Sequence, residues 1–171
     1  MSWRLRVLIW VLAVCVRPVL ARTLSPQRAR RDFGRASWIF RAPPFLLHLG
    51  TPGSPALQWI SVGPGDLDWV ILYFHGGAYF AGSADTYAAL MGRISKLTGL
   101  QVVAPDYRLA PEHPAPAAFD DARAAHSQLL ARGYRADRII LGGDSAGGGL
   151  ALALLADLCA RNLRPAGVFA L

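Results

Sequence analysis

Ser145 lies at the centre of the pentapeptide G-D-S-A-G at residues 143–147, after an apolar run that ends at Leu141 and before a helical stretch. In a sharp strand-to-helix turn, glycines two residues before and after the serine remove the Cβ atoms that would collide. Such a turn presents the serine oxygen at the carboxyl edge of a parallel sheet, where ligands bind. The amide of Ala146 would lie at a helix N-terminus, where it can stabilise an oxyanion. The motif predicts a nucleophilic serine at 145, with Gly143, Asp144 and Gly147 supporting it.

By itself, the G-x-S-x-G pattern is common. A loop that binds phosphate would carry a lysine after its glycines, and none is present. The string is also similar to the G-D-S-G-G of chymotrypsin-like proteases, but those are all-β proteins. The alternation of strands and helices described below excludes that class.

A second motif, H-G-G-A-Y at residues 75–79, directly follows an apolar run from Trp69 to Phe74. An oxyanion hole needs backbone N–H groups that a substrate carbonyl can approach closely, and glycine leaves that approach open. We expect Gly76 and Gly77 to donate such hydrogen bonds, each contributing roughly 3 kcal/mol to transition-state stabilisation. For His75 we expect a structural role, in which the side chain holds the loop by hydrogen bonding.

The elements that position these motifs alternate between strands and helices. Apolar runs predict strands, and stretches with helical spacing predict helices that end near glycines. This alternation predicts an α/β fold with a mostly parallel sheet flanked by helices. The predicted strands are 57–62, 69–74, 100–104, 138–141 and 168–171, and the predicted helices are 85–98, 117–132 and 146–161.

The net charge of +7 is unevenly distributed. Residues 1–41 contain nine arginines and one acidic residue, whereas the remainder has nine basic and ten acidic residues. A nucleic-acid-binding domain would carry its charge on the folded face, so we exclude nucleic acid as a partner. Cys15 and Cys159 have no metal-ligand spacing, and we expect both to be small buried apolar side chains.

Residues 1–41 form a basic and apolar leader, followed by the first part of a catalytic domain at 42–171. We favour a cap helix that covers apolar surface near the site or lies on a membrane surface. The alternative is a signal peptide at 1–21, with ten apolar residues between arginines and a small residue for cleavage. The first interpretation predicts a cytoplasmic, membrane-associated protein, and the second a secreted or periplasmic one.

The combination of H-G-G-A-Y, D-Y-R-L-A-P-E-H-P at 106–114, F-D-D at 119–121 and G-D-S-A-G-G resembles the hormone-sensitive-lipase-like carboxylesterases. The resemblance covers about Val70 to Leu171. It implies an α/β-hydrolase fold, hydrolysis of small acyl esters, a cap over the pocket, and oxyanion amides from Gly76, Gly77 and Ala146. It implies no metal or organic cofactor. The third glycine of the family's usual H-G-G-G is Ala78 here.

Two further side-chain roles follow from the same motifs. Arg108 and Glu112 are a candidate ion pair in a loop behind the nucleophile. Asp144 is adjacent to Ser145, so its side chain should point away from a catalytic base, and we interpret it as a supporting hydrogen-bonding residue.

A serine nucleophile needs a general base and an orienting acid, in chain order Ser, Asp or Glu, His. After Ser145 the sequence has one acid, Asp157, in a helical stretch, and no histidine. His48, His113 and His126 precede the nucleophile without a matching motif. We therefore expect this chain to be a fragment whose acid and base lie beyond Leu171, and we expect it to be inactive alone.

Three functions remain open at this point. The first is an esterase or lipase that forms an acyl-enzyme. The second is an amidase, deacetylase or formamidase on the same scaffold. The third is a non-catalytic protein that binds a ligand on the same scaffold, and in this it would resemble the plant gibberellin receptors. The intact glycine-rich motifs favour an enzyme.

Overall fold

The structure is a computed structural model that describes residues 2–11, 13–14, 25–37 and 40–171. Among the described residues, two α-helices lie in the leader. Three strands follow the leader, and from the third strand onward helices and strands alternate. The helices are α1 (Trp3–Val11), α2 (Pro26–Ser37), α3 (Ala84–Thr98), α4 (Ala117–Ala131) and α5 (Ala146–Ala160). The strands are β1 (Leu46–Thr51), β2 (Leu57–Val62), β3 (Asp66–Phe74), β4 (Leu100–Pro105), β5 (Ile139–Gly143) and β6 (Gly167–Ala170).

The strands form one sheet in the order β1-β2-β4-β3-β5-β6. The four strands from β4 to β6 are parallel, and β1 and β2 add an antiparallel edge. In the register, Val70 faces Ile139 and Phe74 faces Gly143, so β3 and β5 end at the same edge. The prediction of an α/β fold with a mostly parallel sheet is confirmed.

Strand β3 lies in the middle of the core. Val70, Leu72 and Phe74 belong to an apolar cluster with α4 and α5, whereas Ile71 and Tyr73 belong to a second cluster with α3. Successive side chains of a strand point to opposite faces, so a strand covered by helices on both sides is apolar throughout. This burial explains why β3 has a continuous apolar run.

Helix α3 has a capping motif at each end. The Ser83 side chain accepts a hydrogen bond from the Thr86 amide, the Thr86 side chain accepts one from the Ser83 amide, and Gly99 adopts the left-handed conformation after the last turn. These two caps satisfy backbone groups that a helix leaves unpaired. The helix therefore starts one residue before the predicted span and ends where the sequence predicts.

Strand β1 is not among the predicted strands. It lies in a segment that the sequence marks mainly by proline and glycine, and its side chains are only partly buried. Pairing with β2, from Leu46 opposite Val62 to Thr51 opposite Leu57, stabilises it as an edge strand. Such a strand depends on its neighbour more than on an apolar pattern of its own.

In the leader, α1 exposes large apolar side chains, including those of Trp3, Ile9 and Trp10. Among the described residues, no helix is long and apolar enough to cross a bilayer. Membrane contact, the division at residue 41 and the cellular location stay predictions. Cys15 lies outside the described residues. The prediction of a buried Cys159 is wrong, because this thiol lies on an exposed position of α5.

His126 lies buried on α4 beside Ala125 and Leu129. Within the described part of the chain, its Nε2 atom has no hydrogen-bond partner. Burial, and secondarily the positive charge of Arg161, lower the pKa of this imidazole below its usual value. The core therefore holds His126 in its neutral form.

We expect His126→Leu to flatten the pH dependence of stability. Below about pH 6.5 the unfolded chain binds a proton at position 126 that the folded chain resists, so the free energy of unfolding falls with decreasing pH. The leucine removes this contribution and the unpaired polar atom, and should raise stability at pH 7 by about 1 kcal/mol. Urea unfolding at pH 7 and pH 5 measures both effects.

His113→Leu is the matched control, since His113 is exposed. An equal loss of stability between pH 7 and pH 5 in both variants would contradict the role assigned to His126.

Candidate active site

Ser145 occupies the turn between β5 and α5, and we call residues 143–147 the elbow. Its backbone angles are φ 50° and ψ −121°, and a positive φ is strained for a residue with a side chain. Neighbouring backbone holds this conformation: the Ser145 amide donates to the Leu171 carbonyl at 2.9 Å, and the Leu171 amide donates to the Gly143 carbonyl at 3.0 Å. The residue is exposed, at the carboxyl ends of the parallel strands.

The glycines of the elbow mark close backbone approaches. A Cβ atom at Gly147 would collide with the carbonyl oxygens of Phe74 and His75, and one at Gly143 would collide with the Gly147 carbonyl. Only glycine lets the start of α5 lie directly against the end of β3. This contact brings the loop after β3 next to Ser145.

That loop, residues 75–82, contains the predicted oxyanion amides, and we call it the oxyanion loop. Gly77, Ala78 and Tyr79 all have positive φ angles, of 123°, 53° and 63°. The amides of Phe80 and Ala81 both donate to the Gly77 carbonyl, at 3.1 and 2.9 Å. Two consecutive non-glycine residues in the left-handed region mean that the surrounding structure imposes this conformation.

Three amides of the oxyanion loop and the elbow have no acceptor within the described part of the chain. Those of Gly77, Ala78 and Ala146 donate no hydrogen bond to another residue that the structure describes. The amide of Gly76, in contrast, donates to Asp144 Oδ1 at 2.9 Å. The expectation that Gly76 supplies an oxyanion amide is therefore corrected, since its N–H group is already bound. Ala78 was missed because its amide becomes available only through the loop conformation.

Asp144 connects the elbow to the oxyanion loop. Its Oδ1 atom accepts hydrogen bonds from the Gly76 amide and from the Tyr73 hydroxyl at 3.0 Å, and its Oδ2 atom accepts one from the Tyr87 hydroxyl at 2.9 Å. Burial, and then the nearby Asp144 charge, raise the pKa of both tyrosines well above the usual value. Both hydroxyls stay protonated and continue to donate. All three bonds lead from Asp144 back to β3, the loop and α3.

His75 lies buried under the loop. Its Nδ1 atom is 2.8 Å from the Gly76 carbonyl, which can only accept, so this nitrogen carries the proton. The Tyr107 hydroxyl donates to the His75 carbonyl at 2.7 Å, and the two rings stack with centroids 4.4 Å apart. Burial lowers the pKa of His75, so the ring is neutral. These contacts hold the first turn of the loop. Within the described residues, the His75 ring makes no hydrogen bond to Ser145.

The predicted pairing of Arg108 with Glu112 is wrong. Arg108 instead binds the buried carboxylate of Asp121 on α4, with its Nε and its second terminal nitrogen at 2.9 and 2.8 Å from the two oxygens. Glu112 faces α2 and binds Arg30 there. Burying a carboxylate without a partner costs more free energy than leaving one exposed. This explains why Arg108 pairs with the buried Asp121 and not with the more exposed Glu112.

Two cavities flank these loops. One, of about 340 Å³, lies between α2 and α3 and is lined by Phe33, Tyr87, Leu90 and the Asp144 side chain. The other, of about 550 Å³, lies between the oxyanion loop and α5, and Tyr79 and Leu150 contribute to its mainly apolar wall. Ser145 is not among the lining residues of either cavity, but one cavity reaches Asp144 of the elbow and the other reaches Tyr79 of the oxyanion loop. Mainly apolar cavities suit the apolar parts of a small substrate.

A strained serine at the end of a central parallel strand, facing a glycine-rich loop, defines the class of α/β hydrolases. Residues 71–171 match the family model described as the alpha/beta hydrolase fold, and the chain belongs to that family. Solved structures agree. An esterase from the bacterial hormone-sensitive lipase family has a TM-score of 0.82 at 36% identity, covering 86% of this chain and 50% of its own. A mutant of the esterase E40 has a TM-score of 0.87 at 34% identity, covering 99% and 58%.

Curated relatives include a carboxylesterase/phospholipase, LipF, from Mycobacterium tuberculosis, which is 41% identical over 102 residues. An esterase from Acinetobacter venetianus is 44% identical over 100 residues. These matches cover 60% and 58% of this chain, but only 27% and 33% of the relatives. The comparisons confirm the resemblance to the hormone-sensitive-lipase-like carboxylesterases, and the chain spans a third or less of these two relatives.

We expect Asp144→Ala to lower the free energy of unfolding by about 3 kcal/mol, because it leaves one buried amide and two hydroxyls without their acceptor. Asp144→Asn should lose less than half of this, since its amide oxygen can still accept from Gly76. Urea unfolding measures both losses, and hydrogen exchange should show faster exchange at the Gly76 amide in the alanine variant.

Asp137→Ala is the control, since within the described residues this exposed carboxylate pairs with Arg135 alone, and Arg135 is also on the surface. If Asp144→Ala were as mild as the control, the carboxylate would not be what holds the elbow and the loop together.

Proposed function

We propose that this chain provides the nucleophile and the oxyanion hole of a carboxylic ester hydrolase, an esterase or lipase that works through an acyl-enzyme. The single observation that carries the proposal is the exposed, positive-φ Ser145 beside a loop with unbound amides. The names of three relatives, a carboxylesterase/phospholipase, an esterase and an acetyl-hydrolase from Streptomyces hygroscopicus, support the same reaction class.

In the proposed reaction, the Ser145 oxygen attacks the ester carbonyl carbon while a general base takes its proton. The carbonyl oxygen becomes an oxyanion, which accepts hydrogen bonds from the amides of Gly77, Ala78 and Ala146. Collapse of this intermediate breaks the bond to the alcohol, which leaves with the proton from the base. Water then attacks the acyl-enzyme in the same way and releases the acid and Ser145.

The proposal places the triad acid and base after Leu171. His75 is buried beneath the loop, His126 is buried on α4, and His48 lies beside Asp85 at 3.7 Å. His113 is exposed and lines the cavity between the oxyanion loop and α5. In the described part of the chain, none of the four donates to or accepts from Ser145. The relatives are longer chains, of which this chain spans only part, so the acid and the base can lie in the additional residues.

The substrate we propose is a small ester. We propose that its hydrolysis needs no metal or organic cofactor. The two apolar cavities on either side of the loops would take its acyl and alcohol groups. The same machinery also suits an amidase or deacetylase, in which an amine replaces the alcohol as leaving group. A non-catalytic binding protein would have no need for a strained serine, so the elbow geometry favours the enzyme.

In a form extended past Leu171 to include a downstream histidine, we expect Ser145→Ala to lower the turnover of p-nitrophenyl butyrate by about a million-fold. A fluorophosphonate should label the parent protein at Ser145, as located by peptide mass spectrometry, and should not label the alanine variant. Label at another serine, or unchanged turnover in the variant, would contradict the proposal. Amide cleavage faster than ester cleavage would assign the amidase alternative.

For the 171-residue chain alone, we expect hydrolysis of p-nitrophenyl esters no faster than by its own Ser145→Ala variant, because a serine without a base is a weak nucleophile. Stopped assays with both proteins at equal concentration measure the difference. Clear Ser145-dependent turnover by the chain alone would show that the base lies within these 171 residues.

A further inference from the structure

We propose that Arg30, on α2, is a positioning residue that fixes the oxyanion loop in its strained conformation. The inference rests on the proposed function, because it assigns Arg30 a part in transition-state stabilisation. The inference comes from hydrogen bonds between Arg30 and residues about 50 to 80 positions away in sequence. No sequence motif predicts these contacts.

The Arg30 guanidinium binds three acceptors at once. Its Nε donates to the Phe80 carbonyl at 2.7 Å, and one terminal nitrogen donates to the Ala110 carbonyl at 2.9 Å. Both terminal nitrogens also bind the Glu112 carboxylate, at 3.0 and 2.6 Å. A planar guanidinium satisfies such a set in one geometry only, so these bonds specify a position as well as a charge.

The acceptors lie in the oxyanion loop and in the loop that follows β4. Phe80 belongs to the loop, and its amide donates to the Gly77 carbonyl. Ala110 belongs to the neighbouring loop, and its amide donates to the Tyr79 carbonyl at 2.8 Å. Arg30 therefore connects the two loops from outside, next to the left-handed residues Ala78 and Tyr79.

This connection matters because the loop conformation is strained. Residues such as Ala78 and Tyr79 keep positive φ angles only where the surroundings hold them. Hydrogen bonds to Asp144 hold one end of the loop through Gly76, and Arg30 holds the other end through Phe80. Without the second restraint, the amides of Gly77 and Ala78 would lose the fixed direction that oxyanion stabilisation requires.

Helix α2 makes a second, different contact one turn further along. The Phe33 ring stacks on Tyr87 with centroids 6.0 Å apart and lines the cavity between α2 and α3. The same helix thus has an arginine on the loop and an aromatic ring in a cavity wall. Loss of the arginine should affect kcat, whereas loss of the ring should affect KM.

The experiment compares Arg30→Met with Arg31→Met in the extended form that carries the acid and base. Arg31 is the next residue of the same helix and is exposed. Because misplaced catalytic groups lower turnover up to about 100-fold, we expect Arg30→Met to lower kcat about 10- to 100-fold. KM should stay within about threefold, and Arg31→Met should match the parent protein. Phe33→Ala should raise KM and keep kcat within about threefold.

Two milder variants keep the test decisive if Arg30→Met folds poorly. Arg30→Lys retains the charge but cannot bind three acceptors, and we expect at least a fivefold loss of kcat. Glu112→Gln leaves both carbonyl contacts in place and should cost less than Arg30→Lys. A kcat within threefold of the parent in Arg30→Lys, or a loss confined to KM, would overturn the proposal.

Failure of the proposed function gives a different result. If the parent protein shows no Ser145-dependent turnover, hydrogen exchange still tests the contact: the amides of Phe80 and Ala81 should exchange faster in Arg30→Met than in Arg31→Met. Unchanged exchange at these two amides would overturn the positioning role whatever the reaction.

Discussion

The candidate site depends on one close approach between two pieces of backbone. The start of α5 lies so near the end of β3 that a single Cβ atom at Gly147 would collide with the carbonyls of Phe74 and His75. This approach brings the strained Ser145 and the oxyanion loop to the same edge of the sheet. Parallel pairing of β3 with β5, which aligns Phe74 with Gly143, makes it possible. Any side chain at Gly147 would separate the nucleophile from its loop.

Asp144 shows how one side chain can connect the two halves of the site and change which amides are free. Its carboxylate binds the Gly76 amide and two tyrosine hydroxyls, so the available amides move one residue along the loop, to Gly77 and Ala78. The sequence places Asp144 next to the nucleophile and predicts a supporting residue that points away from the base, but it does not show which groups the carboxylate binds. Those partners follow from the tertiary position of Tyr73 and Tyr87, which lie 71 and 57 residues away.

Features that depend on local pattern could be predicted, and features that depend on distant partners could not. The apolar run of β3 and the glycines around Ser145 identify the fold and the elbow because burial and turn geometry act on neighbouring residues. Strand β1 was missed because β2 stabilises it. The pairing of Arg108 was wrong because Asp121, buried on α4, competes with the nearer Glu112. The exposed Cys159 shows that an apolar helix need not bury every small residue.

The arginine-rich leader is explained in part by this geometry. One prediction places the leader on a membrane surface, but the Arg30 side chain, which is 32% exposed, is turned toward two carbonyls and a carboxylate of the catalytic domain. Arg30 therefore binds groups of the catalytic domain and does not contribute to an outward-facing basic patch. Arg31 and Arg35, in contrast, lie exposed on the same helix. Because Arg30 follows residue 21, its contacts with the oxyanion loop do not depend on whether residues 1–21 are retained or removed as a signal peptide. The proposed positioning role of Arg30 on α2 is thus independent of where the protein is located.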